Sequence, residues 1–126
     1  MKFTIRTNKK DEIIDITDRI ASLIKDAKGG AIVLNVLHTT CGLTTADLDP
    51  GTDKDILEAL RKMLPRISYR HPHDPSHTDD HILSSFIGTS LVLNFENGEI
   101  TLGTWQRVIL VELNGPRERK ISYFIF

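Results

Sequence analysis

All five histidines of the chain fall between positions 38 and 81, and four of them, His71, His73, His77 and His81, lie within eleven residues. Neutral imidazole is a ligand for zinc and similar divalent ions, and three of them around an open position make a Lewis-acid or water-activating site. The same ring moves protons near neutral pH. The spacing is not that of a known ligand motif, since neither HExxH nor CxxC is present. His71-Pro72-His73 puts two rings on one side only if extended, and His77 with His81 shares a face only if helical. A proline-containing surface loop whose histidines pair with Asp74, Asp79 and Asp80 is the competing reading.

Two further segments carry reactive side chains. In HTTCGLTTADLDP, positions 38–50, the hydroxyls of Thr39, Thr40, Thr44 and Thr45 and the carboxylates of Asp47 and Asp49 can bind ligand oxygens or magnesium. The same residue types build a loop that caps the next helix, and a loop is the expectation here. Cys41 has no basic neighbour in sequence to lower its pKa and is expected as a small buried filler. In LGTWQ, positions 102–106, and ELNGPRER, positions 112–119, Gly103 and Gly115 allow close backbone approach, Trp105 can stack on a ring, and Arg117 and Arg119 offer planar forks for phosphate or carboxylate. Read structurally, Asn114-Gly115-Pro116 is a turn, Trp105 a core or interface aromatic, and the arginines a solvated face.

These segments need elements to position them. KFTIRT and EIIDI alternate with period two and predict an opening hairpin around Asn8, Lys9 and Lys10. Ile16, Ile20, Leu23, Ile24 and Ala27 then fall at helical spacing, with Thr17 as cap and Gly29-Gly30 as terminator. AIVLNVLH, positions 31–38, reads as a buried strand ending at a histidine. Thr52 caps a second helix whose apolar face is Ile56, Leu57, Leu60, Met63 and Leu64, stopped by Pro65. HILSSFIG makes a short helix closed by Gly88, and the remainder is strand: SLVLNF, a tight turn at Asn97-Gly98, EITLG, WQRVILVELN and ISYFIF. Strands clustered at the end argue for an α+β domain on a largely antiparallel sheet, with two main helices and one short one.

The 126 residues fit one domain, 1–126, with 40% hydrophobic and 26% charged residues, a globular composition. Sixteen basic against seventeen acidic residues leave a net charge of −1, which provides no global attraction to nucleic acid or an anionic membrane. No apolar run approaches the roughly 20 residues of a membrane span, and the start has no export signal. One cysteine cannot form an internal disulfide, so a cytoplasmic location is expected.

Taken together, the segments resemble the YjbQ-like proteins, the UPF0047 family, labelled secondary thiamine-phosphate synthase. His38-Thr39-Thr40 is similar to that family's HTS or HTT element and Tyr69-Arg70-His71 to its Y-x-H. His81-Ile82-Leu83 with Gly88 and Ser90 resembles its A-H-[LI]…G-x-S, Leu102–Gln106 its LGTWQ, and Glu112–Arg117 with Arg119 its E-x-D-G-P-R-x-R. There are departures. Thr44-Thr45-Ala46-Asp47 stands for T-x-N-E, Asp80 for the alanine before the second matched histidine, and Asn114 for aspartate, while His73 and His77 match no family element.

The resemblance implies an α+β fold with a β-sandwich, a homotrimer with clefts near subunit contacts, and a weak activity that joins hydroxymethylpyrimidine diphosphate to thiazole phosphate. It implies His38, His71 and His81 as a metal-binding or acid–base cluster assisted by Asp47 or Asp49. Thr39, Thr40, Ser90, Trp105, Gln106, Arg117 and Arg119 are then the contacts to a small anionic substrate. A divalent metal, zinc or magnesium, is expected on the three histidines, and no organic cofactor. Metal-assisted hydrolysis of a phosphorylated or carboxylated compound, and a non-catalytic trimer that binds metal or anion, are the alternatives.

Overall fold

In the computed structural model, which describes residues 1–126, the order is β1 (Lys2–Arg6), β2 (Glu12–Asp15), α1 (Thr17–Ile24), β3 (Gly29–Val36), β4 (Cys41–Ala46) and α2 (Thr52–Met63). A 3-10 turn (Pro75–His77), α3 (Thr78–Ile87), β5 (Ser90–Glu96), β6 (Glu99–Ile100), β7 (Arg107–Glu112) and β8 (Glu118–Ile125) follow. Two antiparallel sheets form, β1-β8-β3-β5-β6 and β2-β7-β4. The chain is an α+β protein, as its clustered strands predict.

β7 sits at the centre of the smaller sheet and is covered on both faces, which is why RVILVE is a continuous apolar run rather than an alternation. Val108 and Leu110 point toward the larger sheet and share a core with Ile32, Leu34, Phe95 and Ile121. Ile20 and Ile24 of α1 belong to the same core. Ile109, Val111 and Leu113 face the other way, against Leu83 of α3 and Leu57, Leu60 and Leu64 along α2. At the β5–β6 hairpin, Asn97 and Gly98 both take positive φ, 51° and 76°, the requirement of a type I′ turn.

Four expectations are corrected. The opening hairpin does not form: β1 pairs with β8 and β2 with β7, so the chain crosses between sheets at Thr7–Asp11. Each segment has its own apolar face to bury, and those faces belong to different ladders. Residues 41–46 are a strand, β4, rather than a loop, because Thr is β-branched and Gly42 lets α3 approach: a Cβ there would lie 2.6 Å from the Ile87 side chain. Neither Thr17 nor Thr52 is a cap. Thr17 is the first residue of α1 and donates its N–H to Asp15 Oδ1 at 3.0 Å, and Gly51 with φ 92° precedes Thr52. Met63, assigned to the apolar face of α2, is exposed.

The sheets are joined at one end by an ion pair. Glu112 of β7 and Arg119 of β8 are 0% and 2% exposed. Arg119 Nε donates to both carboxylate oxygens at 2.9 and 3.1 Å, and Nη2 bonds Glu112 and also Thr40 Oγ1 at 2.8 Å. Glu112 accepts further bonds from Thr7 Oγ1 at 2.7 Å and from the Leu113 and Asn114 N–H groups at 3.0 and 3.2 Å. Burial alone raises a carboxyl pKa, but Arg119, Thr7 and the Asn114 N–H outweigh it and hold Glu112 below its ordinary 4.5.

Removing one partner of such a pair strands the other charge, at a cost of about 3–5 kcal/mol. Glu112→Gln is therefore expected to lower unfolding free energy in urea by about 3 kcal/mol. Because the folded-state pKa is depressed, this stabilisation is complete above the unfolded value of 4.5 and disappears as pH falls through the lower folded value. Urea titrations should show the wild type losing stability on acidification below that point and the Gln variant losing less.

Candidate functional site

Where the ion pair closes the sandwich, the surface opens into a cleft of about 500 Å³. Four segments make it: residues 37–40 between β3 and β4, the loop 71–77, His81 on α3, and the turn and start of β8 that carry Asn114, Arg117 and Arg119. All five histidines line it, and Leu37 is the one hydrophobic residue in its wall. The histidine cluster of the sequence is thus a cluster in space, and His38 joins it because β3 ends beside β8.

Main-chain partners set the protonation of three rings. His38 Nε2 accepts the Lys120 N–H at 2.8 Å, which puts the proton of the neutral ring on Nδ1. His81 Nδ1 faces the Thr39 carbonyl at 3.1 Å, and since a carbonyl only accepts, Nδ1 carries the proton and Nε2 the lone pair. His71 Nδ1 accepts the Asp74 N–H at 3.2 Å, so Nε2 is its donor. The His71 and His81 rings stack with centroids 4.8 Å apart and planes 15° apart. A potential base and an N–H donor therefore stand side by side. Burial pushes the His38 pKa below the ordinary 6.5, and Arg119, Lys120 and Arg117 act in the same direction against the opposing charge of Glu112.

These assignments bear on the expected metal. His38 and His71 each already accept a hydrogen bond at a ring nitrogen, and no three His, Cys, Asp or Glu side chains converge as ligands. The expected three-histidine seat of His38, His71 and His81 does not fit zinc or magnesium in this arrangement. Anion-binding groups are present instead. Arg117 uses Nε on the Asn114 carbonyl at 2.8 Å and keeps its two terminal nitrogens without a protein partner. Arg119, on the cleft floor, has only Nη1 left. Thr40 is buried and spent on Arg119, while Thr39 is exposed at the rim.

The remaining predicted residues lie elsewhere. Asp47, Asp49 and Trp105 line a second cleft of about 260 Å³ with Asp15 and Arg107. It sits past the far end of β4 and β7, whose near ends carry Thr40 and Glu112, and a six-residue strand spans roughly 17 Å at about 3.3 Å per residue. Within one chain, Asp47 and Asp49 therefore do not assist His38, His71 or His81. Gln106 is structural: its Nε2 donates to Thr45 Oγ1 at 2.8 Å and its Oε1 accepts the Gly103 N–H at 2.9 Å. Ser90 is exposed at the start of β5, outside the cleft. Cys41 is buried and its thiol is pushed up to about 12 by that burial, the filler it was expected to be.

Residues to which the family resemblance gave no role also line the cleft, namely His73, His77, Asp74 and Asn114. Asp74-Pro75-Ser76 carried a signal, since an Asp before Pro-Ser is a helix-start pattern. Asp74 Oδ1 indeed accepts from the Ser76 N–H at 2.9 Å and caps the 3-10 turn.

Fold and site define a small two-sheet α+β protein with a histidine- and arginine-lined cleft. The profile of the UPF0047 protein YjbQ-like family matches residues 1–126, and the chain belongs to that family. A UPF0047 protein of Archaeoglobus fulgidus is 36% identical over 122 residues, covering 96% of each chain. One from Methanocaldococcus jannaschii is 38% identical over 122 residues, covering 94% of this chain and 88% of its own. The crystal structure of an uncharacterized conserved protein of the same family from Clostridium acetobutylicum superposes with a TM-score of 0.89 at 32% identity, covering 100% of this chain and 99% of that one. A YbjQ-like protein of unknown function from Sulfolobus solfataricus gives a TM-score of 0.88 at 29% identity, over 98% and 92% of the two chains.

The His38 assignment is open to measurement. In an NMR titration of the imidazole ring, His38 is expected to lose its proton at a pH below 6.5, with the proton of the neutral ring on Nδ1. A midpoint at or above that value would contradict the burial of the ring among Arg119, Lys120 and Arg117, and a neutral-ring proton on Nε2 would contradict its acceptance of the Lys120 N–H.

Proposed function

We propose that the histidine cleft binds a small phosphorylated compound and that His81 and His71 serve it as base and acid. The observation that supports this is the stacked pair with opposite tautomers, His81 with a lone pair on Nε2 and His71 with a proton on Nε2, beside the unpartnered nitrogens of Arg117 and Arg119. Guanidinium groups bind phosphate oxygens with charge-assisted hydrogen bonds, and such donors stabilise a leaving anion without any change at the protein.

In the coupling that the family resemblance implies, the thiazole nitrogen attacks the pyrimidylmethyl carbon, the bond from that carbon to diphosphate oxygen breaks, and diphosphate leaves. In this site the two arginines and the His71 N–H would take up the charge on the departing diphosphate, Thr39 at the rim would contact the substrate, and His81, for which this coupling offers no proton to remove, would hold His71 in place through the stacked rings. Position and charge neutralisation suffice for slow chemistry of this kind. Neutralisation is assigned to the arginines, because the histidines supply no three-ligand seat for zinc or magnesium. A second reading, hydrolysis of a phosphorylated compound, is favoured by the His81 lone pair, which could activate water.

The protein would work as a homotrimer in the cytoplasm. In such a trimer the Trp105, Asp47 and Asp49 end of one copy would reach a histidine cleft only in another copy.

The test is chromatographic detection of thiamine phosphate from the two substrates, with protein made in a host lacking its own synthase, with and without chelator. Product from the wild type that falls at least about tenfold in His81→Ala and in Arg117→Ala is expected, a loss of ~1.4 kcal/mol or more in transition-state binding. Phosphate or diphosphate release without a coupled product would select hydrolysis. Absence of turnover together with absence of diphosphate binding would overturn the proposal.

A further inference from the structure

We propose that His77 is a positioning residue: a cationic clasp between Asp74 and Asp80 that fixes the loop carrying His71 over the cleft. The inference rests on the reading of the cleft as a phosphate site, and it concerns a residue that family motifs do not explain. His77 Nε2 lies 3.1 Å from Asp74 Oδ2 and its Nδ1 lies 3.2 Å from Asp80 Oδ2. The Nδ1 contact is a hydrogen bond and the Nε2 contact an ion-pair distance, so the ring stands between two carboxylates, an arrangement that suits an imidazolium, whose two N–H groups both donate.

Both carboxylates are held in the ionised form. Asp80 has a side chain 1% exposed, and burial pushes its pKa up, but Arg61, His77 and Lys10 together overcome that and hold it low. Arg61 Nη1 donates to it at 2.6 Å and Lys10 Nζ at 3.2 Å. Asp74 is held low by the Ser76 hydroxyl and N–H. Arg61 also pairs with Asp11, at 2.9 Å from Nε, and donates to the Leu113 carbonyl at 2.9 Å, which ties the assembly to the end of β7. The group thus holds three carboxylates, Asp11, Asp74 and Asp80, against Lys10 and Arg61. It is balanced in charge only when His77 is a cation.

The mechanical consequence follows from Asp74. Its carboxylate meets His77, while its backbone N–H is the group that fixes His71 Nδ1 as an acceptor. A line of contacts therefore runs from the buried Asp80 through His77 and Asp74 to the acid of the stacked pair. Ser76 and the His77 N–H hold Asp74 within the 3-10 turn, and the clasp adds the side-chain link from that turn to the buried Asp80, so opening it loosens the support of the His71 tautomer and of its stack on His81.

The experiment has two arms. Low-temperature NMR of the ring N–H protons is expected to show both Nδ1–H and Nε2–H of His77 protected from exchange, unlike those of exposed His73. Calorimetry with inorganic diphosphate is expected to show affinity reduced about tenfold in His77→Gln and in Asp74→Asn, and kept within about threefold in His77→Arg, whose cationic fork can still bridge two carboxylates. Asp74 is solvent-accessible, so its variant is expected to fold even where His77→Gln does not. A missing ring proton on His77, wild-type affinity in Asp74→Asn, or loss in the Arg variant equal to that in Gln would each overturn the clasp. A wild type that binds no diphosphate would overturn the cleft reading instead, and the ring protons would still decide the clasp.

Discussion

Glu112 and Arg119 meet where water is excluded, and each charge needs nearly all of its hydrogen-bonding capacity filled to be tolerated there. That requirement constrains much of the surrounding chain. Thr7 has to follow β1 closely enough to reach the carboxylate, Thr40 has to precede β4 closely enough to reach the guanidinium, and the backbone after β7 must turn so that the Leu113 and Asn114 N–H groups face inward. Gly115 is part of the same constraint, since a Cβ there would stand 2.2 Å from the Lys9 carbonyl oxygen and 2.8 Å from Thr7 Oγ1. The pair joins the two sheets, and its outer edge becomes the cleft floor.

From that floor the site is assembled outward. β3 ends beside β8, so His38 lands on the Lys120 N–H. α3 packs against β4 through Ser84, whose hydroxyl donates to the Cys41 carbonyl at 2.6 Å, and this brings His81 to Thr39. The long connection from α2 to α3 then has only to return across the opening, and its histidines enter the cleft from above. A rigid floor and a clasped cover are a common division of labour for sites built on loops.

The strands and helices were legible wherever one face was buried and the other wet, as in β5, β8 and α3. β7 was legible for the opposite reason, as a run too apolar to have a wet face. β4 was not, because Cys-Gly-Leu-Thr-Thr-Ala reads as turn chemistry until α3 is known to cover Gly42. The opening hairpin misled because two short amphipathic segments separated by polar residues look the same whether they pair with each other or with strands a hundred residues away. At the site, clustering of histidines in sequence pointed to the right place. What spacing could not convey was that Arg119 is committed to Glu112, that Asp47 and Trp105 occupy the far end of the same strand pair, and that backbone groups decide which nitrogen carries each proton.

That last point bears on how the protein can change. The donors and acceptors that assign the His38 and His81 tautomers are the Lys120 N–H and the Thr39 carbonyl, main-chain atoms present for any side chain at 39 and for any but proline at 120. Sequence drift at 39 can therefore reshape the rim, and drift at 120 can alter the charge behind it, while the tautomers of the two rings stay the same. The placement of these protons and the charge of the surrounding surface are separately inherited in such an arrangement, although the Lys120 charge itself also helps hold the His38 pKa down.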